Sequence, residues 1–193
     1  MEFIYKEIRY NVTKFGVYIL IKVNDNIIAK LIENKKRLHI TNITKNDKIS
    51  GQMIIEICED YNYHHNKKPI SLTDESKIIT KNYTISLQTV YILAYGISWY
   101  NHLEYYSKNY NEEVIDNKKI INMRMNDFIL SINYKCNINS EISVKNYFIK
   151  IKDLLKNEKV FTKEIEENVN LINFITQNNI LNCTNELHIK KFI

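Results

Sequence analysis

A polar, lysine-containing segment leads directly into the most clearly predicted helix of the chain. It runs from Thr44 to Ser50, carries Lys45 and Lys48, and is followed by Gly51, one of only 3 glycines among 193 residues. A helix N-terminus presents free backbone N–H groups and the positive end of the helix dipole, and a residue without a side chain lets a ligand approach that backbone. The segment therefore indicates a site for an anionic ligand, while a solvated loop followed by a boundary glycine explains the same residues.

Other residues with chemical potential have simpler explanations. His64 and His65 end the predicted helix, but Cys58, the nearest soft ligand, lies two turns or about 10 Å from His65, which favours a surface pair over a metal site. Asp74 and Glu75 follow a predicted strand, where a carboxylate can bind or deprotonate an amine, although acidic residues are also common in turns. We predict no metal site.

Several enzyme classes are excluded by missing motifs. The sequence has no Gly-x-Ser-x-Gly, no Walker loop and no His-Glu-x-x-His, which excludes the usual serine hydrolases, nucleotide hydrolases and zinc proteases. Cys58, Cys136 and Cys183 are widely spaced, odd in number and without a Cys-x-x-Cys pair. We expect reduced cysteines rather than a disulfide framework or a structural zinc site.

Hydrophobic periodicity supplies the elements that must position the segment before Gly51. The β-branched run Val17–Val23, the turn triplet Asn24–Asn26 and a second run, Ile27–Ile32, predict a hairpin, and Arg37–Ile43 alternates as a third strand. From Gln52 to His65 the period changes to that of a helix, with an apolar stripe of Ile54, Ile57, Cys58 and Tyr61. Further strands are predicted at Pro69–Leu72, 120–125 and 128–134. A second helix is predicted from Leu87 to about Tyr106.

The C-terminal part is predicted to be helical. Ser140 or Ser143 caps one helix and Thr162 caps another. The first of these helices carries an apolar stripe made of Val144, Tyr147, Phe148, Ile151, Leu154 and Leu155. We place a boundary near residue 136, with a core over 1–136 and an extension over 137–193 that docks on the core through this stripe.

The order of these elements and two short motifs resemble the GNAT superfamily of acyltransferases. Its fingerprint, [Gln/Arg]-x-x-Gly-x-[Gly/Ala], compares with Lys48–Met53, where Lys48 and Gly51 are compatible and Met53 replaces the second small residue. The family pattern [Leu/Phe]-Tyr-x-x-[Leu/Phe]-Gly-[Phe/Tyr] compares with Trp99–Tyr105, in which Glu104 replaces the glycine. The likeness covers roughly residues 15–110 and is closest to divergent forms from large A/T-rich DNA viruses.

This resemblance implies acetyl-CoA as cofactor and direct attack of an amine on the thioester. It assigns coenzyme binding to the residues around the fingerprint, namely Ile43, Thr44, Lys48, Ser50, Gly51 and Gln52. It makes Tyr100 the general acid that protonates the leaving thiolate, a role that suits a phenol with a pKa of ~10. A buried structural tyrosine is the alternative for that residue.

We therefore predict an α/β fold: a GNAT-like mixed sheet flanked by helices, with a helical C-terminal extension. The predicted function is that of an acetyl-CoA-dependent N-acyltransferase-like protein of viral origin. The alternative is a catalytically inactive GNAT-like scaffold that acts as a virion or protein-interaction component, with a viral or host protein as partner. Met53 and Glu104 favour the scaffold, whereas Gly51 and Tyr100 favour the enzyme.

Composition bounds these interpretations. Hydrophobic residues make up 45% of the chain, which is typical of a globular protein, and no stretch approaches the ~18 apolar residues of a membrane helix. The excess of Ile, Asn and Lys is typical of an A/T-rich genome. The net charge of +5 comes from evenly spread lysines with few arginines, so nucleic-acid binding is disfavoured. We expect an intracellular protein of the host cytoplasm or the virion, without membrane contact.

Overall fold

The computed structural model describes residues 1–44, 48–65, 67–155 and 162–189 of a mixed α/β protein. The chain divides into two compact units. The first contains residues 1–73, 103–107 and the described residues from 186 onward, and the second contains residues 74–102 and 108–185.

The first unit is a large mixed sheet with one helix. Its strands are β1 (Glu2–Tyr5), β2 (Ile8–Phe15), β3 (Tyr18–Val23), β4 (Asn26–Glu33), β5 (Leu38–Ile43), β6 (Ile70–Thr73), β9 (Tyr105–Tyr106) and β10 (Glu186–Ile189), and its helix is α1 (Gly51–His65). The strand order is β1-β2-β3-β4-β5-β6-β10-β9. Among the described strands of this sheet, only β5 and β6 pair in parallel, with α1 as the connection between them. A parallel neighbour requires such a crossover. The other neighbours are antiparallel: β1 to β5 follow one another along the chain, whereas β10 lies between β6 and β9.

The predicted hairpin and the helix after it are confirmed. Asn24 and Asp25 join β3 to β4 with φ values of 49° and 62°, the left-handed conformation that a two-residue hairpin turn needs. The apolar stripe predicted for α1 is buried, with Ile54, Ile57, Cys58 and Tyr61 all 2% exposed or less. Sequence reasoning did not assign β1 and β2, nor β9 and β10.

The second unit is mainly helical. It contains a small hairpin of β7 (Lys77–Ile79) and β8 (Thr84–Ser86) and the helices α2 (Leu87–Tyr95), α3 (Tyr110–Asn122), α4 (Met125–Ser131), α5 (Val144–Leu155) and α6 (Lys163–Gln177). The predicted caps of the last two helices form: the Ser143 hydroxyl accepts from the Asn146 amide, and that of Thr162 from the Ile165 amide.

The strands predicted at 120–125 and 128–134 are wrong. These residues form the end of α3 and most of α4. The buried face of α3 consists of Glu113, Asn117 and Ile121, so two of its three members are polar and the apolar repeat that indicates a helix is hidden. The helix predicted from Leu87 to about Tyr106 is also too long. It ends at Tyr95 because Gly96 adopts φ 79° and caps it, and a short 3₁₀ helix, Trp99–Leu103, follows.

The apolar stripe of α5 packs inside the second unit. Val144, Phe148, Ile151 and Leu155 are buried in one core with residues of α2, α4 and α6. Tyr147 is partly buried, whereas Leu154 is 43% exposed and does not belong to the covered face. Across the described ranges, none of the helices is long and apolar enough to cross a membrane.

Candidate functional site

The parallel pair in the first unit comes apart at the carboxyl ends of its strands. The ladder between β5 and β6 runs from Leu38–Ile70 to a last pair, Ile40–Leu72. Beyond it, β5 continues along β4 as far as Ile43, whereas β6 ends at Thr73. The two strands thus form a fork, and open α/β sheets bind ligands outside the carboxyl ends of their strands.

A β-bulge coincides with this fork. Along β4, Leu31 pairs with Ile40 and Lys30 pairs with Asn42, so Thr41 is the extra residue on β5. Its hydroxyl donates to the carbonyl oxygen of Lys30 at 3.0 Å. Bulges bend a strand and redirect its side chains, so Thr41 is where β5 turns away from β6.

The imidazole of His39 connects the two strands just before they separate. Its Nδ1 lies 2.8 Å from the Ser71 hydroxyl and its Nε2 lies 3.3 Å from the Thr73 hydroxyl. Burial, with a smaller contribution from Arg37, lowers the pKa of His39. A neutral imidazole has one donor and one acceptor nitrogen, which the two hydroxyls can match. His39 therefore links β5 to β6 at the base of the fork.

The N-terminus of α1 follows the fork along the chain. Ser50 is its cap: the Ser50 hydroxyl accepts from the Met53 amide at 3.2 Å. Gly51 is the first helical residue and is not among the residues with positive φ. Backbone conformation therefore does not require glycine here, which leaves close approach as a physical reason for it. The amides of Gly51 and Gln52 lie in the first turn, where no acceptor exists within the helix.

Among the described residues, the charges around this helix end do not oppose an anion. The first turn of α1 contains no acidic residue. Lys48 is exposed beside it, while Lys45 and Asp47 lie outside the described residues. The nearest carboxylate along the helix, Glu56, accepts from Lys6 at 2.8 Å and from the Gln52 side chain at 3.1 Å. Because Lys6 stabilises its ionised form, the pKa of Glu56 is lowered.

The other carboxylates of α1 bind tyrosine hydroxyls of the sheet. Tyr10 donates to Asp60 at 2.7 Å and Tyr105 donates to Glu59 at 2.9 Å. Burial and the Asp60 carboxylate raise the pKa of Tyr10. Glu59 and Asp60 thus fasten the helix to the sheet.

The six residues predicted to bind the coenzyme lie along one stretch of the first unit. Ile43 ends β5, the Thr44 amide donates to the Ile28 carbonyl at 2.8 Å, and Lys48, Ser50, Gly51 and Gln52 lie at the start of α1. Thr44, Lys48, Ser50 and Gln52 are exposed, whereas Ile43 and Gly51 are half-buried. The role of these residues stays a prediction.

Tyr100 belongs to the second unit and lies in the 3₁₀ helix. It is 6% exposed and packs edge-on against Trp99, with ring centroids 4.9 Å apart. Its role as an acid also stays a prediction. Glu104, which stands where the family motif has glycine, has φ 64°. The backbone therefore makes a turn that glycine favours, although a glutamate occupies it.

Sequence reasoning missed His39, Thr41 and the hydroxyls of Ser71 and Thr73. Their partners come from a different strand, and the only local signal is the alternation of polar residues along Arg37–Ile43. Over the described ranges, no cluster of three or more His, Cys, Asp or Glu side chains is arranged to hold a metal ion.

Comparison with known proteins adds no family assignment. No protein family, no curated protein and no solved structure gives a significant match to the chain.

Proposed function

We propose that this chain is an acetyl-CoA-dependent N-acyltransferase-like protein that holds the coenzyme at the fork between β5 and β6. The observation that carries the proposal is the end of the parallel ladder at Ile40–Leu72, beside the bulge at Thr41. A fork of this kind offers unpaired strand edge to the amide groups of a pantetheine arm, which is the extended part of coenzyme A.

The start of α1 would bind the pyrophosphate. The first-turn amides of Gly51 and Gln52 have no acceptor within the helix, and the first turn contains no acidic residue, which favours an anion at the positive end of the helix dipole. The helical backbone of Gly51 does not itself require glycine, and the missing side chain would let a ligand approach the first turn closely. Lys48 adds a positive charge to the same surface.

The reaction would be a direct acyl transfer. The amine nitrogen forms a bond to the acetyl carbonyl carbon, the C–S bond of the thioester breaks, and the amine gives up one proton while the thiolate takes one up. The resemblance to the family motif makes Tyr100 the proposed proton donor to the thiolate. The amine is of unknown identity.

A non-catalytic scaffold is the second candidate, and one observation favours it. The Met53 amide, which stands at the second small position of the fingerprint, is bonded to the Ser50 hydroxyl. One of the N–H groups that would otherwise face the pyrophosphate is therefore already satisfied. On this alternative the protein keeps the fold, does not bind acetyl-CoA and acts through a protein partner.

Thermal unfolding with acetyl-CoA separates the two candidates. A ligand at 100 times its Kd stabilises the folded state by about 2.7 kcal/mol, so millimolar acetyl-CoA should raise the melting temperature. Gly51→Glu should abolish that increase because it places a negative charge against the phosphates. Asn111→Glu, at an exposed position in the first turn of α3, adds the same charge at another helix start and should keep the increase. An unchanged wild-type melting curve at saturating ligand would remove the enzyme proposal.

A further inference from the structure

The second unit contains a pocket of its own, with a volume of about 360 Å³. It is lined by the loop before β7, the first turn of α2, the end of α6 and the segment that follows α6. Small-molecule sites typically occupy about 300 to 1,000 Å³, so this pocket has the size for a small metabolite. All of its lining residues belong to the second unit, and none was assigned to coenzyme binding.

The amide of Gln88 is the first feature that points to a ligand. The Gln88 side chain lines the pocket, although the residue is only 7% exposed. Its Oε1 accepts a weak hydrogen bond from the Cys183 thiol, with a distance of 3.9 Å between oxygen and sulfur. Within the part of the chain that the structure describes, Nε2 has no acceptor. Nε2 itself is not fully enclosed, so it can donate to the oxygen of a ligand in the pocket.

The carboxylate of Asp74 is the second feature. Asp74 lines the same pocket and is 2% exposed. Its Oδ1 accepts from the hydroxyl of Ser76 at 2.6 Å and from the Ser76 amide at 3.3 Å. Ser98 lies near the carboxylate, yet neither Oδ2 nor the Ser98 hydroxyl makes a well-formed hydrogen bond to any described residue. Asp74 is therefore a buried carboxylate with fewer donors than it can accept.

Carboxylates outnumber ammonium groups among the side chains that line the pocket. Asp74 and Glu75 contribute two carboxylates, and Lys77 contributes one ammonium group. Burial raises the pKa of Asp74, because removing a carboxylate from water penalises its charged form. A cation in the pocket would offset that penalty, whereas an anion would add to it.

We propose that this pocket binds a small molecule with a primary ammonium group at one end and an oxygen acceptor at the other. The ammonium group pairs with Asp74, and the oxygen accepts from the Gln88 amide. The apolar side chains of Ile85, Ile175 and Leu181, which also line the pocket, pack against the aliphatic part between the two ends. This proposal does not depend on coenzyme binding.

Three probes of equal chain length separate the two contacts. They are 5-amino-1-pentanol, which has both groups, 1,5-pentanediol, which lacks the ammonium group, and pentylamine, which lacks the oxygen. Calorimetric titration of the full chain should show millimolar or tighter binding of aminopentanol and at least tenfold weaker binding of the other two. Equal affinity for aminopentanol and the diol, or no binding of aminopentanol at 50 mM, would contradict the proposal.

Variants assign the contacts to residues. Asp74→Asn keeps the shape of the side chain and should reduce aminopentanol affinity at least tenfold, while Glu75→Gln, an exposed neighbour, should leave it within twofold. Gln88→Leu should remove the preference for aminopentanol over pentylamine. If Asp74→Asn does not fold, the Gln88→Leu result tests the proposal on its own. Unchanged affinity in Asp74→Asn, or an unchanged preference in Gln88→Leu, would overturn the proposal.

Discussion

Ile40 is the last residue of β5 that pairs with β6, and its partner is Leu72. The next residue, Thr41, is the extra residue of a bulge against β4, and β6 ends at Thr73. The fork therefore results from the bulge in β5 together with the end of β6. Its position directly before the loop that leads to Gly51 is the structural basis for proposing a coenzyme site there.

The covered face of α5 predicts a strong contrast between two substitutions. Phe148 is fully buried, so Phe148→Ala leaves a cavity and should lower the free energy of unfolding by about 3 to 5 kcal/mol. Leu154 is 43% exposed on the same helix, and Leu154→Ala should cost about 0.5 kcal/mol or less. Urea denaturation measures both. Similar losses for the two variants would mean that Phe148 is not packed as described.

The partly buried imidazole of His39, which links β5 to β6, predicts a pH dependence of stability. Its pKa is lowered in the folded protein from an ordinary value of 6.5, so above that pH the imidazole is neutral in both states. As the pH falls below 6.5, the unfolded chain takes up the proton first, and the free energy of unfolding decreases. Denaturation at pH 7.5 and pH 5.5 should show a smaller loss for His39→Gln than for the wild type. His102→Gln, at an exposed position, should lose as much stability between the two pH values as the wild type does. If His39→Gln also loses as much as the wild type, His39 is not the group responsible.

The proposed acid predicts a separation of turnover from binding. Tyr100→Phe should lower kcat by roughly 10² to 10⁴ and leave acetyl-CoA affinity unchanged, because only a positioned proton donor is lost. Release of the thiol from acetyl-CoA, followed over a panel of amines, measures turnover. Tyr83→Phe is the matched control, since the Tyr83 hydroxyl donates to the Leu155 carbonyl at 3.0 Å and its loss should affect stability alone, by about 1 kcal/mol. If the two variants turn over alike, Tyr100 is a structural residue.

Local sequence signals predicted the elements whose buried faces are apolar. The turn at Asn24 and Asp25, the stripe of α1 and the cap at Thr162 all depend on neighbouring residues, and the structure contains them. The helix α3 was missed because it buries Glu113 and Asn117, which are paired with the Thr184 hydroxyl and the backbone of Asn182. Those partners are distant in sequence, so no local pattern predicts them.

At the candidate site, too, local sequence indicated some features, whereas others depend on long-range pairing. The sequence identified Gly51 and the loop before α1, because glycine is scarce and the helix that follows is strongly periodic. It did not identify the fork, since Thr41 becomes a bulge only through pairing with β4, and the end of the parallel ladder at Ile40–Leu72 depends on pairing with β6. Long-range strand pairing sets the geometry that the local sequence leaves open.

The most direct test of coenzyme binding at the fork is an NMR titration of the ¹⁵N-labelled chain with acetyl-CoA. The account predicts that the amide signals of Gly51 and Gln52 shift, together with those of Thr41 and Thr73, and that they saturate with one common Kd. The Gly16 amide, in the turn between β2 and β3, should not move. Saturating acetyl-CoA that leaves the Gly51 and Gln52 signals unchanged would contradict the central claim.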